Sequence, residues 1–579
     1  MTQQEIVSIL NFIAAALELK GENPFKIKAY RRAAQSISAL TTDVASLVEA
    51  GELRNIEGIG EAIEKKITEL VKTGRLEYYE KLKASVPEGL FELLKVPQLG
   101  PKKIKILHEK LGITTLGELE YACYENRLLE LPGFGKKTQQ AILEGIRFVK
   151  SSSDQFRLGE ALPAALELTK LLGDRAAPLR QLSLAGGVRR WKEVVRDIDL
   201  VAGSPEPERV IEVFTQLPQV REVLSREPGR CVARLANGIP VDLNVVGEEM
   251  YAYFLFYGTG SKNFLKALEE KVSKDGYTLS DRGIFKRTPR GERNLAPTCQ
   301  SEEEVFRLLG LPYIPPELRE DPAVLTAAQE GRLPSPVEGK DIKGLLHVHT
   351  HWSDGVATVR EMAKAAQDRG YEYVGISDHS KSAFYANGLN EERLLKQWEE
   401  IDRVRKELKG IEILKGMEVD ILADGSLDLE DALLAQLDFV VASVHSRFKM
   451  NREEMTRRIL KAMENPHVTV LGHPTGRLIL SREPYQVDME ALLEGARENN
   501  VAMELNAHPH RLDLNWLHLK MAMERGVRIF INPDAHNVEG LGDMVYGIGT
   551  ARRGGVAEDA VLNTLRWDEL KERFKKIKV

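Results

Sequence analysis

The sequence predicts a multidomain chain of mixed class: a helical N-terminal region, an α+β middle and a C-terminal α/β parallel sheet or barrel. Three observations predict it. One glycine-centred turn recurs three times in the first 150 residues; strand-like runs with paired aspartates follow between 180 and 250; and from 341 on, short apolar strands alternate with helical segments, most strands ending on His, Asp or Glu. The length agrees, since 579 residues give about four domains. Charged residues make up 29% and hydrophobic residues 43%, an ordinary soluble globular composition. No apolar run approaches the roughly 18 residues of a membrane helix, and "MTQQEIVSIL" has neither a basic n-region nor a cleavage site. Cys123, Cys231 and Cys299 are scattered, which suits a reducing cytosol and excludes a disulfide framework or a thiolate metal site. A cytoplasmic location and no membrane partner are therefore expected. The net charge of -6 excludes a generally basic nucleic-acid coat, so any such contact must come from local patches.

Residues 1–150 read as amphipathic helices. Within them stand "IEGIG" (56–60), "VPQLG" (96–100) and "LPGFG" (131–135), each an apolar residue, a short turn, a glycine and a polar or basic helix start. Such a hairpin lets backbone approach a partner, with free N–H groups at the second helix's N-terminus able to take a phosphate. Taken singly, each is also an ordinary helix connection with a C-cap glycine. Three copies, two followed by paired lysines, favour phosphate docking through Gly58, Gly60, Gly100, Lys102, Lys103, Gly133, Gly135, Lys136 and Lys137. The pattern resembles the helix-hairpin-helix motif of DNA-binding proteins that do not read sequence.

The middle of the chain changes character. "LSLAGG", "DIDLVAG", "CVARLA" and "IPVDLNVVG" read as strands, and helical patterns return from 262 to 310. Asp197 and Asp199 lie two apart, hence on one strand face, and Asp242 lies on another strand. Three carboxylates meeting between strands suit a two-metal nucleotidyl-transfer site. Gly186-Gly187 just upstream could cradle phosphates, and Tyr257-Gly258-Thr259-Gly260-Ser261 follows downstream. Residues 316–340, rich in proline and charge, read as a linker.

From 341 the segments "GLLHVHT", "YEYVGISDH", "IEILKGMEVD", "LDFVVASVH", "VTVLGHP", "NNVAMELN" and "RGVRIFINPDAH" alternate with helices, which reads as βα units. Eleven of the twelve histidines lie after residue 340. His347, His349 and His351 share one strand face by period two. His347, His349, Asp378-His379, Glu418, His445, His473, Asp534 and His536 all stand at or just after strand C-termini, with Asp354 close behind the first strand. That is the end at which a βα barrel builds its site. An all-N/O donor set suits catalytic Zn²⁺ or Mn²⁺. Clustered ions would activate water and clamp phosphoryl oxygens, which is phosphoester hydrolysis.

"HVHTHWSDG", "SDH", "GMEVDI", "SVHS", "LGHP" and "PDAH" together resemble the PHP (polymerase and histidinol phosphatase) domain, a distorted (β/α)7 barrel. That resemblance implies nine ligands and up to three Mn²⁺ or Zn²⁺ ions. His347, His349, Glu418 and Asp534 would hold one; Glu418, His445 and His473 a second, with Glu418 bridging; Asp354, His379 and His536 the third. His351, His467 and His518 are expected outside the set, while His508 and His510 could touch substrate.

The glycine pair, arginines and DxD, the distant Asp242 and the YxTGS run, in this order behind helix-hairpin-helix repeats, resemble the bacterial family X DNA polymerases (PolX). The resemblance covers the whole chain. It implies a helical lyase-like domain at 1–80, fingers at 81–150, a palm at 151–255, a thumb at 256–315, a linker at 316–340 and a PHP phosphoesterase domain at 341–579. It makes Asp197, Asp199 and Asp242 the catalytic ligands of Mg²⁺ or Mn²⁺, brings Gly186, Gly187 and Arg190 to the incoming triphosphate, and brings Tyr257, Gly258, Thr259 and Gly260 to its sugar. Lys66 matches a Schiff-base lysine by position and Lys26 a supporting one. Five departures stand out: Gly187 in place of Ser, Trp191 in place of Gly after the arginine pair, Arg196 in place of Gly before the first aspartate, Tyr257-Gly258 in place of an aromatic pair, and Leu265 and Glu269 in place of thumb Asn and Arg. The activity implied is gap-filling repair synthesis with a metal-dependent 3′-5′ exonuclease, acting on gapped or nicked DNA and dNTPs as a monomer. One rival is a PHP phosphoesterase whose degenerate polymerase fold only docks DNA. Another is a DNA-end binder without activity, which the complete carboxylate and histidine sets disfavour.

Overall fold

In this computed structural model, residues 2–38, 40, 44–87, 89–97, 99–129, 131–150, 154–288 and 291–577 are described. They form two compact units, Met1–Lys150 and Ser151–Val579.

The first unit is all helical, as expected. Thr2 and Glu5 close a capping box on the helix Gln3–Leu19, whose Ile6, Leu10, Ile13 and Leu17 line the core. The three glycine turns share one hydrogen bond: the N–H of Ile59, Leu99 and Phe134 donates to the carbonyl of Ile56, Val96 and Leu131, at 3.1 Å each. Gln98 of the second turn lies outside the described residues. Gly60 and Gly100 are the N-caps of Glu61–Thr73 and Pro101–Leu111, and Lys136 opens the helix Lys136–Lys150.

In the second unit the palm is a five-stranded sheet. Its strands are β1 (Gln181–Leu184), β2 (Ile198–Gly203), β3 (Val220–Glu227), β4 (Arg230–Leu235) and β5 (Pro240–Val246), in the order β1-β2-β5-β4-β3. β2 and β5 are parallel and the other pairs antiparallel. β3 departs from the expectation: "VREVLSRE" is an exposed edge strand whose polar sequence hides it. The thumb departs too, since the 262–310 region holds a three-stranded sheet, β6 (Tyr277–Ser280), β7 (Gly283–Thr288) and β8 (Gly291–Asn294), beside its helices. These strands are short and largely polar, so no apolar alternation announces them.

The C-terminal part is a seven-stranded parallel barrel in sequence order: β9 (Gly344–Val348), β10 (Tyr373–Ile376), β11 (Glu412–Asp420), β12 (Phe439–Ser443), β13 (Val470–Leu471), β14 (Ala502–Asn506) and β15 (Ile529–Asn532). All seven segments read as strands are strands. Backbone bonds from His349 N to Ala535 O (2.9 Å) and from Ala535 N to His347 O (3.3 Å) close the ring between β9 and the segment after β15. Most strand residues are buried, which is why they read as apolar runs. Below the site the barrel is filled by Leu346, Tyr373, Phe439 and Phe530. Gly375 and Gly416 make room for the Phe439 ring, since a Cβ on either would lie 2.5 or 2.1 Å from it.

The 316–340 stretch, expected as a linker, is packed. It holds the turn Pro316–Leu318 and the helix Val324–Gln329. Buried Arg319 donates to Ile314 O (2.8 Å) and Glu302 (2.5 Å), while Arg552 bonds Glu317 (2.6 Å) and Lys520 bonds Asp321 (2.7 Å). The palm core also contains Ile479, Leu512 and Tyr546 from the barrel part. The palm is therefore packed directly against the barrel part, which keeps cores of its own, rather than standing apart on a spacer.

Candidate active sites

The barrel site is built from strand ends. His347 is the penultimate residue of β9 and His349 lies just beyond its end, two apart and so on one face. His379 follows β10, Glu418 lies in β11, His445 follows β12, His473 follows β13, and Asp534 and His536 follow β15. All nine expected donors converge. Glu418 is central: its Oε1 lies 3.4, 3.3 and 2.9 Å from Nε2 of His347, His445 and His473, and its Oε2 lies 2.8 Å from His379 Nδ1 and 3.8 Å from His349 Nε2. Asp534 Oδ1 is 3.2 Å from His349 Nε2 and 3.6 Å from His347 Nε2. Asp354 lies 3.5 Å from His379 Nε2 and 3.4 Å from His536 Nε2. Three tight donor groups result: His347, His349 and Asp534; His349, Asp354, His379 and His536; His379, Glu418 and His445. They overlap more than the expected partition, with His349 and His379 each in two.

The electrostatics favour cations. Burial pushes Asp354, Glu418 and Asp534 upward, but the surrounding imidazoles outweigh it and hold all three well below the usual carboxylate range. Burial lowers His347 and His379, yet the carboxylates beside them raise both well above the ordinary imidazole value. Burial and then Arg511 push His473 down to about 4, so it stands neutral as a ligand must. The ring nitrogens His347 Nε2, His349 Nδ1 and Nε2, His379 Nε2 and His445 Nε2 are buried, make no well-formed hydrogen bond and face carboxylate oxygens at 3.2–3.8 Å. Buried nitrogens facing carboxylates in this way fit divalent ions of the N/O-preferring kind.

Two carboxylates that the sequence did not mark hold these ligands. Glu504, fully buried in β14, accepts from His347 Nδ1 (2.7 Å), His473 N (2.7 Å), Asn532 Nδ2 (3.0 Å) and Asn506 Nδ2 (3.2 Å). Asp420 lies 2.5 Å from His445 Nδ1. The signal was a lone acid inside an otherwise apolar strand, "VAMELN", since a buried glutamate must be paired. Asp378 stays out of the donor groups. It instead anchors the 350–353 turn through Thr350 N (2.7 Å) and Thr350 Oγ1 (2.6 Å) and accepts from Gln397 (2.6 Å). His351 is half exposed, 3.8 Å from Glu400, and His467 and His518 also lie outside the donor groups. His508 and His510 are ring neighbours at 5.2 Å, and burial, then His510, hold His508 well below the ordinary imidazole value.

In the palm, the β2–β5 register sets Asp199 opposite Asp242, with Asp197 just before β2. Burial, then Asp197 and Asp242, push Asp199 up to about 7; burial, then Asp242, raise Asp197. Burial and mutual repulsion outweigh the nearby Arg190, Arg196 and Lys192, and a set raised in this way fits divalent ions. The triad is looser than the barrel set and makes no donor group within 4.8 Å. Asp242 is turned to Arg230, which grips it bidentately at 3.0 and 2.6 Å. Gly186 has φ +56°, and a Cβ there would lie 1.6 Å from Asp199 Oδ2, so glycine is what lets the turn close on the carboxylate. Gly187 packs against Val195.

The remaining residues expected to meet the nucleotide already have partners within the protein. Buried Arg190 donates to Glu320 (3.0 Å) and Thr259 O (2.6 Å), and Arg553 lies 3.6 Å from the same Glu320. Arg189 donates to Thr259 Oγ1 (2.7 Å) and Glu302 (2.5 Å). Thr259 donates to Leu255 O at 2.6 Å, Gly260 N to Phe256 O at 3.2 Å, and Tyr257 stacks on Tyr253 at 5.7 Å, leaving Gly258 against Ala185 and Val201. Trp191 adopts φ +55° and lies against Gly549 of the barrel part, where a Cβ would sit 2.1 Å from its ring. Arg477 pairs with Glu193 at 3.0 Å on the same face.

In the N-terminal unit, a Cβ on Gly60, Gly100, Gly133 or Gly135 would meet nothing within 4 Å, so these turns are open to a partner's approach; Gly58 instead packs on Arg32. The first hairpin carries Glu61 and Glu64 in its first turn, whereas the second and third carry Lys102, Lys103, Lys136 and Lys137. The latter two are the better anion sites. Lys66 and Lys26 converge on the Tyr78 ring at 4.9 and 5.7 Å, and burial and then Lys26 lower the Lys66 pKa.

Family models match along the chain. A helix-hairpin-helix domain covers 1–76, a SAM-like helix-hairpin-helix tandem 90–147, a DNA polymerase beta thumb 254–320 and a PHP domain 346–508. The DNA polymerase/3′-5′ exonuclease PolX of Bacillus subtilis (strain 168) is 39% identical over 566 residues, covering 97% of each chain. A probable phosphatase of Thermoanaerobacter sp. (strain X514) is 32% identical over 236 residues, which is 38% of this chain and 91% of that one. A probable phosphatase of Acetivibrio thermocellus is 32% identical over 221 residues, 35% of this chain and 86% of that one. No described helix is long and apolar enough to cross a membrane.

Proposed function

The chain belongs to the bacterial PolX family, DNA polymerases with a 3′-5′ exonuclease, and on that premise we propose how its residues divide the two activities. Polymerisation belongs to the palm, with Asp197, Asp199 and Asp242 as ligands of Mg²⁺ or Mn²⁺. The exonuclease belongs to the PHP barrel, where His347, His349, Asp354, His379, Glu418, His445, His473, Asp534 and His536 hold up to three Mn²⁺ or Zn²⁺ ions. When bound, such ions supply activated water and charge neutralisation at phosphoryl oxygens. The chain's own groups do the rest. Glu504 and Asp420 fix the orientation of His347 and His445. Arg230, half exposed, neutralises the mostly buried Asp242 bidentately and must release it when a cation binds. Gly186, Gly187 and Arg190 take the incoming triphosphate, Arg190 exchanging Glu320 for phosphate, and Tyr257 to Gly260 face the sugar.

The DNA backbone docks on the second and third hairpins through Lys102, Lys103, Lys136 and Lys137. The substrate is a gapped or nicked duplex with dNTPs, and the setting is cytoplasmic repair by a monomer. Lys66, with its lowered pKa, is the amine to test for a lyase step by borohydride trapping on an abasic end. The observation that carries the exonuclease assignment is the convergence of nine N/O donor residues, Glu418 at their centre, at the strand ends. A relative named for both activities over 97% of both chains favours two working sites over a degenerate polymerase fold. The test is a labelled primer on a gapped duplex with Mg²⁺ or Mn²⁺. Extension with dNTPs and shortening without them are expected; shortening alone would favour the docking-platform reading.

A further inference from the structure

The loop after β10 carries the most exposed large apolar side chain of the second unit. Phe384 is 88% exposed in the short turn Phe384–Ala386. Its neighbour Tyr385 lies with its ring 6.2 Å from that of His379 and 6.3 Å from that of His445, so the loop borders the donor cluster. A phenyl group on a slack loop would fold down onto the nearest apolar surface. This loop is stapled. Leu389 N donates to His379 O (2.8 Å) and Ser380 N to Glu418 O (3.0 Å), tying both ends to ligand residues. Ser382 N donates to Asp428 (2.8 Å), and Arg393 donates to Asn387 O (2.6 Å) and to Trp352 O. Gly388 is pressed so close that a Cβ would lie 2.0 Å from Ser380 O. The fold thus holds a bare aromatic ring out at the rim of the site. A second exposed apolar residue, Val356 at 49%, is tied by its N–H to His536 O (2.9 Å), and His536 shares a donor group with His379.

We propose that Phe384, with Val356 beside the same mouth, is a stacking platform for the nucleobase at the 3′ end of a single strand. This rests on the exonuclease reading of the PHP site and adds what that site accepts. The substrate brings a nucleobase to the rim in every turnover, and every base presents a π-face to an aromatic ring whatever its identity. A base stacked on Phe384 is unpaired. The platform therefore selects frayed or mismatched ends over fully paired ones, at no cost in base generality.

The experiment compares Phe384→Ala and Phe384→Trp with wild type on labelled single strands in Mn²⁺, ending either in an ordinary 3′ nucleotide or in one lacking its base. Phe384→Ala should raise KM roughly tenfold on ordinary ends, leave kcat within about twofold and leave extension unchanged. Phe384→Trp should restore KM. On the base-less end, wild type and Phe384→Ala should coincide, which a merely structural loss would not produce. In EDTA, without turnover, the indole fluorescence that Phe384→Trp adds over wild type should be quenched by single-stranded DNA and far less by blunt duplex. An equal KM for wild type and Phe384→Ala, an equal penalty on base-less ends, or absence of quenching overturns the proposal. If wild type shortens nothing, the exonuclease reading falls instead, while quenching still decides the stacking.

Discussion

Glu504 gives the sharpest prediction because all four of its partners donate. His347 Nδ1 and Asn532 meet Oε1, and the His473 N–H and Asn506 meet Oε2. Only an acceptor-only group satisfies this arrangement. Glu504→Gln keeps the shape but must turn an NH₂ toward one pair of donors. Two buried donors then lose their acceptor at about 1–3 kcal/mol each. Part of that appears as lost stability and part as lost orientation of His347 or His473. Removing such an outer partner costs about 10–100-fold in metal affinity, or ~1.4–2.8 kcal/mol. Titrating Mn²⁺ against 3′-end hydrolysis should move the half-saturating concentration upward by that factor. Excess Mn²⁺ should restore the rate, and bound Mn²⁺ measured by equilibrium dialysis should shift in parallel. Extension should be unaffected. An unchanged Mn²⁺ titration would refute the reasoning, and so would a loss that no Mn²⁺ concentration repairs while the fold stays intact.

Other consequences follow from the same geometry. Gly549→Ala places a methyl 2.1 Å from the Trp191 ring and should destabilise the second unit by about 1–3 kcal/mol in urea melts. Adding Trp191→Gly should recover part of that loss, and strict additivity would show that the two do not touch. Asp199 is pushed up to about 7 and must be ionised to hold a cation, so at low Mg²⁺ extension should rise from pH 6 to pH 8. Higher Mg²⁺ should move that midpoint downward, and a flat profile would refute the assignment. Changing Lys102, Lys103, Lys136 and Lys137 together to Glu should weaken binding to all DNA sequences alike. It should also reduce the log–log salt slope by about 0.9 per lost phosphate contact; an unchanged slope would mean these lysines only solvate their helices.

The barrel and its donor ring were legible in the sequence because buried parallel strands read as apolar runs and their ends carry residues that apolar runs otherwise exclude. Glu504 was not, because its role as an acceptor for ligand residues exists only once β14 stands between β13 and β15. The same holds for Arg190. Its place in the sequence suggests a phosphate, but its partner Glu320 is 130 residues away and is itself approached by Arg553. The 316–340 stretch has the composition of a spacer, yet Glu317, Arg319 and Asp321 carry ion pairs that fasten it. Composition reports solvation tendency, whereas burial of these charges depends on distant partners. Trp191 reads as a departure from the family's glycine, and its reason becomes visible only in the Gly549 surface it covers.

One chain carries two separate phosphodiester chemistries, and paired single substitutions separate them. On one labelled gapped duplex, Asp199→Ala should abolish extension and keep 3′-end hydrolysis in Mn²⁺, while His349→Ala should nearly abolish hydrolysis and keep extension. His351→Ala, half exposed and outside the donor groups, should retain most of both. If His349→Ala removed both activities from a folded protein, or if His351→Ala were as inactive as His349→Ala, the division of labour between palm and barrel would be contradicted.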